Sequence, residues 1–354
     1  MGTLFRVLII ADPKIPVPPT KYGGTERIVA LLARQLQRKG HVVDLLAGPD
    51  SQSFGGKLAV HRLPTSNYGN RLWRKVLFQF LSLRLACRAD VVINFGRIDY
   101  LETILRTAKP LICSFQNPVE QFEVDWLLSR RDSSLAFVGI SASQIETLQP
   151  RDRFSVIHNS TDVKSLRFSP IAKKPPYLAF LGRITYKKGA DTAIKIARCA
   201  GMKLKLGGTI SDEPGGQEFF EKRIRPELGE QIEWIGPVDD AAKQDLLGGA
   251  TAMLFPIRWS EPFGIVMSES LACGTPVIAT RSASTPEVIQ DGETGFLCDS
   301  EEDLVTAVRR VSELDRTACR RSAEEKFSSE IMATNYLEVI GRLLMQGRRK
   351  FARC

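Results

Sequence analysis

Short apolar runs alternate with longer amphipathic stretches along almost the whole chain. The runs are Val7–Ala11, Val42–Ala47, Val91–Asn94, Leu111–Ser114, Phe137–Ile140 and Ser155–Ile157, then, after a break, Tyr177–Leu181, Lys203–Leu206, Ile232–Ile235, Met253–Pro256, Val277–Thr280 and Gly295–Leu297. They predict strands, and their mostly continuous apolar character suits strands covered on both faces. The stretches between them carry helical periods, and alternation of this kind predicts parallel α/β domains.

The break is Phe168-Ser169-Pro170-Ile171-Ala172-Lys173-Lys174-Pro175-Pro176, whose prolines and lysines continue neither strand nor helix. It predicts an N-terminal domain over 1–168, a linker over 169–176 and a C-terminal domain over 177–328, with a last helical segment over 329–354. Both halves open alike. In the first, a strand leads to Gly23-Gly24 and a helix from about Thr25 that buries Ile28, Leu31, Leu32 and Leu36, stops at Gly40 and is followed by a strand. In the second, Leu178–Leu181 leads to Gly182-Arg183 and Lys188-Gly189. A helix with Ala193, Ile194, Ile196 and Ala197 follows, stops at Gly201 and gives way to Lys203–Leu206. Each unit reads as the first βαβ of a Rossmann-like domain. Such sheets bind ligands beyond the carboxyl ends of their strands, so two domains facing each other would offer a cleft with two loop-lined walls.

The chain of 354 residues is long enough for two domains, and 43% hydrophobic with 25% charged residues is ordinary for a globular protein. No stretch approaches an uninterrupted membrane span. The opening apolar run, cut short by Asp12 and Pro13, does not read as a secretory signal. Seven scattered cysteines without a C-x-x-C pair read as reduced thiols and a cytoplasmic location, and three separated histidines suggest no metal site. The net charge of +9 is concentrated early: residues 1–100 hold 15 Lys and Arg against 6 Asp and Glu, and the remainder balances. Such a patch favours an anionic partner or is simply a solvated surface. Within it, Asn70–Arg88 mixes arginines, aromatics and leucines, which suits either a basic helix lying on an anionic membrane or an ordinary helix packed on the sheet. The basic run Arg348-Arg349-Lys350-Phe351-Ala352-Arg353 either adds to the patch or frays.

Candidate chemistry concentrates in Trp259–Thr280. Apolar residues at 265, 266, 271 and 272 mark a short helix that ends at Gly274 and Pro276, ahead of a buried strand. Glu261 then falls in a loop and Glu269 on the helix. Pro262-Phe263-Gly264 opens the helix, so its free backbone N–H groups face an anion or hydroxyls, and Gly264 lets a ligand approach. Two carboxylates beside a set of donors suit a sugar and a ribose. Taken singly, each has a plainer reading: Gly23-Gly24 as a tight turn, Arg183 and Lys188 as solvated cations, Pro286-Glu287 as a helix start and Glu269 as an exposed helix residue, although the face it shares with Ile265 and Cys273 asks for a partner.

In order and spacing, these pieces resemble family-four retaining glycosyltransferases of the GT-B fold over nearly the whole length. They are Tyr22-Gly23-Gly24-Thr25-Glu26-Arg27, Gly40-His41, Asn159, Asp162, Leu181-Gly182-Arg183-Ile184, Lys188-Gly189, Gly207-Gly208, Ile235-Gly236, the Glu261/Glu269 pair with Phe263-Gly264, Gly274-Thr275-Pro276-Val277 and Pro286-Glu287-Val288 with Asp291-Gly292 and Thr294-Gly295. The resemblance implies that Arg183 and Lys188 grip the donor diphosphate. Glu261 holds donor-sugar hydroxyls with the backbone of Phe263, Gly264 and Ile265, and Glu269 takes the ribose. Gly23 and Gly24 approach the phosphates and acceptor, and the base is read near Gly236-Pro237-Val238. It further implies a nucleotide-diphosphate sugar as donor substrate, no metal or other cofactor, and the C-terminal helix packed back on the N-terminal domain. The early basic charge adds the expectation of an anionic or membrane-associated acceptor, a glycan or lipid-linked sugar, with the cytoplasmic enzyme peripheral on the membrane. No nucleic acid is expected, because the sequence holds no recognised nucleic-acid-binding module. Two departures stand out. Phe115-Gln116-Asn117 carries Gln116 where the family often has histidine, and Ala283-Ser284-Thr285 lies where glycines are common. A non-catalytic sugar-nucleotide-binding protein is the alternative that Gln116 keeps open.

Overall fold

The computed structural model describes residues 3–19, 23–54, 58–63, 71–131 and 133–351. Tyr22 and Asn70 lie outside the described residues, as do Ala352 and Arg353 and the side chains of Arg71, Leu72 and the basic run from Arg348 to Phe351. The chain forms two units, residues 1–159 with 329–354, and residues 160–328.

The first unit is built on a parallel sheet of β1 (Arg6–Ile10), β2 (Val42–Ala47), β3 (Leu58–Arg62), β4 (Val91–Asn94), β5 (Leu111–Phe115), β6 (Leu135–Gly139) and β7 (Phe154–Val156), in the order β3-β2-β1-β4-β5-β6-β7. Ile9 lies opposite Leu45 on one side and Ile93 on the other. Within residues 1–159 its helices of eight or more described residues are α1 (Gly24–Arg38), α2 (Arg71–Arg88) and α3 (Gln121–Arg130). Helix α1 buries Ile28, Val29, Leu32 and Leu36 on one stripe. It ends at Gly40, whose φ of 92° is the left-handed geometry glycine adopts without cost.

The second unit repeats the arrangement. Strands β8 (Tyr177–Leu181), β9 (Lys203–Gly207), β10 (Ile232–Gly236), β11 (Ala252–Phe255), β12 (Val277–Thr280) and β13 (Gly295–Cys298) run parallel in the order β10-β9-β8-β11-β12-β13. Around them stand α4 (Ala190–Cys199), α5 (Asp240–Gly249), α6 (Ile265–Ala272), α7 (Glu301–Arg310) and α8 (Arg316–Lys326). The core on one face of the sheet joins Phe180, Ile194, Leu206, Phe220, Ile232, Leu254, Ile278 and Leu304, all buried.

The expected runs all form strands, with ends shifted by a residue or two, but β3 was not anticipated. It is an edge strand with only Leu58 buried, so its residues lack the apolar run that marks the others. The divide between the units also falls before the expected linker at 169–176. Residues 160–176 belong to the second unit because their backbone is tied into it. Ser169 N–H donates to Cys273 O at 3.0 Å, and Lys173 N–H donates to Gly249 O at 2.8 Å. The Arg316 guanidinium donates to Ser169 O at 2.7 Å, and the Arg320 guanidinium donates to Val163 O and Leu166 O.

The last helix, α9 (Ser329–Phe351), belongs to the first unit. Its buried Met332, Ala333, Tyr336, Val339, Ile340 and Leu343 recur at helical spacing. The Tyr336 hydroxyl lies 2.8 Å from Ser114 Oγ on β5, and Gln35 on α1 donates to Ser329 Oγ at 2.9 Å.

Candidate active site

In the second unit the strand order reverses between β8 and β11, the position at which open parallel sheets bind ligands outside their carboxyl ends. The loop after β8 carries Arg183 and Lys188, and the loop after β11 carries Glu261 and leads into α6. Glycine makes the meeting of these loops feasible. Gly189 has φ 74°, and a Cβ there would lie 1.9 Å from Pro256 O, so no side chain fits. Arg258 completes the seam. Its N–H donates to Lys187 O at 2.8 Å, and its guanidinium pairs with Asp191 at 2.7 Å and stacks over the Tyr186 ring.

This seam brings Lys188 and Glu261 into direct contact: the ammonium donates to Glu261 Oε2. The Trp259 indole N–H donates to the same oxygen at 3.0 Å, and Lys188 Nζ lies 5.0 Å from the Trp259 ring centroid. Glu261 is buried, and a buried carboxylate needs such donors to stay charged. The fully buried Ser284 hydroxyl lies 2.8 Å from Glu261 O and 3.1 Å from Phe263 O, tying the loop to the turn after β12. Ala283 beside it takes the left-handed φ of 46°, a conformation glycine would adopt more readily.

Gly264 caps α6 with φ 75°. A Cβ there would meet Met267 Cε and Phe255 Cζ at 2.9 Å. The Phe263 ring turns inward, edge-on to Phe327 at 5.8 Å, so Phe263, like Gly264 and Ile265, offers its backbone at the helix start. Glu269, in the second turn, is buried and pairs with Lys243 of α5, Nζ to Oε1 at 2.5 Å. The same ammonium lies 3.2 Å from Asp240. Arg183 pairs with Glu213 at 2.6 Å.

The loops after β8, β9 and β10 are laced together. Gly182 N–H donates to Gly207 O and Gly208 N–H donates to Gly236 O, while the Trp234 indole donates to Gly208 O. Gly208 must be glycine, since a Cβ would lie 1.8 Å from Gly182 O. Gly236, at φ 76°, and half-buried Val238 follow β10 on this same edge. Arg183, Lys188, Gly236, Val238, Glu261, Phe263, Gly264, Ile265 and Glu269 are thus all carried by segments that leave the carboxyl edge of one sheet. Gly23 and Gly24 belong to the first unit, where they open α1. There burial pushes the Glu26 carboxyl above its usual range, with its own backbone hydrogen bond opposing and Asp12 adding to the rise. Gln116, also in the first unit, donates to Ser114 Oγ at 3.0 Å, extending the bond to Tyr336.

Three residues at the site were not singled out from sequence: Trp259, Ser284 and Lys243. Lys243 had a readable signal. It stands in the first turns of α5, where the helix dipole disfavours a cation unless a carboxylate answers it.

The Glycosyltransferase Family 4 model matches residues 22–165, and the Glycosyl transferases group 1 model matches residues 162–326. The chain belongs to the family-four glycosyltransferases. An uncharacterised 41.2 kDa protein in the cps region of Klebsiella pneumoniae is 27% identical over 252 residues, 68% of this chain and 63% of its own length. The chain therefore matches less than two thirds of that curated relative. Among solved structures, AviGT4, a glycosyltransferase involved in avilamycin A biosynthesis, superposes with a TM-score of 0.73 at 26% identity, covering 96% of this chain and 98% of that one. The Anabaena protein Alr3699/HepE, solved in complex with UDP-glucose, superposes with a TM-score of 0.72 at 14% identity, over 96% and 100% of the two chains, a likeness of fold alone. The two Rossmann-like units are those of the GT-B fold in this family.

Proposed function

We propose that this chain is a retaining, metal-independent glycosyltransferase that moves a sugar from a nucleotide-diphosphate donor to an acceptor hydroxyl. The reading rests on one observation above all: Lys188, Glu261 and Trp259 converge where the strand order reverses, beside the start of α6. Negative charge grows on the leaving diphosphate as the glycosidic bond breaks. Arg183, Lys188 and the N–H groups of Phe263, Gly264 and Ile265 are fixed positive groups that would oppose it. Glu261 would hold hydroxyls of the donor sugar, and Glu269 the ribose. Gly236 and Val238 would border the base, and Gly23 and Gly24 the phosphates and acceptor. The leaving phosphate would take the acceptor proton on the same face, which keeps the anomeric configuration without a side-chain nucleophile.

The relative from a cps region supports a cell-surface glycan or lipid-linked acceptor. The early basic charge favours an enzyme working in the cytoplasm at the membrane's inner face. A thermal-shift screen of UDP-, GDP-, ADP- and dTDP-sugars identifies the donor, because a ligand bound to the native state alone raises Tm. Transfer assays then follow the anomeric proton by NMR, with and without EDTA. Retained configuration and EDTA-insensitive turnover that vanishes in Glu261→Ala support the reading. An inverted product or a metal requirement overturns its mechanism. Tight donor binding with no turnover across many acceptors favours the non-catalytic alternative that Gln116 keeps open.

A further inference from the structure

Helix α2 is apolar on both of its faces, unlike an ordinary surface helix. Phe78, Ser82, Leu85 and Ala86 face the first unit's interior, all but inaccessible to water. Trp73, Val76 and Phe80 stand at i, i+3 and i+7, so they share the opposite face. They are 69%, 52% and 59% exposed. A helix packed on a sheet normally places polar residues there. Arg84 and Cys87, both exposed, continue the same line along the helix, and half-buried Leu77 and Leu83 flank it. Lys75 and Arg88 add exposed cations, and the helix contains no acidic residue.

We propose that this outward face of α2 docks flat on an anionic lipid bilayer. Charge complementarity selects this occupant. Bulky apolar side chains bordered by cations, without a carboxylate, match a surface of acyl chains beneath anionic headgroups. Tryptophan favours that boundary, and lysine and arginine stems lie along apolar surface while their heads reach the phosphates. The excess of +9 carried by residues 1–100 adds a long-range pull toward the same surface. Among the described residues no helix is long and apolar enough to cross a membrane, so the contact is one of lying on the surface. The docking does not depend on the donor chemistry of the second unit, and vesicle binding and sugar transfer are measured separately.

The test is co-sedimentation of the full chain with phosphatidylcholine vesicles, with and without phosphatidylglycerol, at low and high salt. Binding is expected to the anionic vesicles only and to weaken with salt. It should fall roughly ten-fold or more in the double variant Trp73→Ser with Phe80→Ser, and also in Arg84→Glu with Arg88→Glu. These side chains are exposed, so Tm should stay unchanged. A blue shift of tryptophan emission on binding should shrink in Trp73→Phe. No binding to anionic vesicles at low salt overturns the proposal. So does equal binding to neutral vesicles, or binding that both double variants retain in full. A face made for a protein instead of lipid would leave anionic vesicles unbound even at low salt.

Discussion

At the scale of single residues, the site depends on groups that hold one another. Removing Lys188 leaves Glu261 buried with one side-chain donor fewer, and removing Glu261 frees both Lys188 and Trp259. Glu261→Ala and Lys188→Ala are each expected to lower kcat/KM by about 10²-fold or more, the cost of losing one preorganised charge-stabilising group. Transfer kinetics with the identified donor check this. Gly189→Ala should disturb the same site without touching its charges, because its new Cβ and Pro256 O cannot share their place. A fall in Tm together with loss of donor binding is the expected pair of readouts. His41 gives a pH effect in the first unit. Phe5 N–H donates to His41 Nδ1 at 3.1 Å, which requires that nitrogen to be unprotonated. Burial, helped by Lys39, lowers its pKa below 6.5. A folded-state pKa below the unfolded one gives stability that is present above about pH 6.5 and lost as pH falls through the lowered value. Tm should therefore drop on acidification, with a shallower slope in His41→Gln, whose amide accepts the same bond without titrating.

At the scale of elements, the placement of α6 decides whether its N-terminus and Glu269 serve one ligand. Two contacts fix it: Ser284 holds the loop ahead of the helix, and Lys243 on α5 holds Glu269. Ser284→Ala removes a buried hydroxyl whose one proton is shared between two carbonyls and should cost about 1–3 kcal/mol in urea unfolding. Lys243→Met should leave Glu269 buried without its cation, weakening binding of the donor nucleotide more than it slows turnover at saturation. The KM-against-kcat split reads this out. Much of this geometry was legible in the sequence. The Glu261/Glu269 spacing around Phe263-Gly264 places both carboxylates correctly, one before and one within α6. Ser284 was not legible as a partner, because what joins it to Glu261 and Phe263 is proximity between loops that follow different strands, and no local pattern encodes that. Strand β3 escaped for a simpler reason: an edge strand that buries one residue carries no apolar run.

At the scale of the molecule, the alternation of strands and helices foretold two parallel sheets, but proline content misplaced the divide. A segment rich in proline lacks regular structure, and Phe168–Pro176 indeed has none, yet the amide and carbonyl of Ser169 and the amide of Lys173 are bonded to the second unit. Composition reports backbone regularity, while membership of a unit is set by tertiary bonds that composition does not record. The closing helix α9 carries a consequence for how the protein is made. Tyr336 fills a place beside Ser114 on β5 and Phe95 just after β4, residues of the first unit translated long before it. While the chain emerges from the ribosome, the leading unit must wait with that slot vacant as all of residues 160–328 are synthesised, and the trailing unit is the first able to finish folding. Chains ending at residue 328 and released from the ribosome should accordingly hold a protease-resistant second unit behind a protease-sensitive first one.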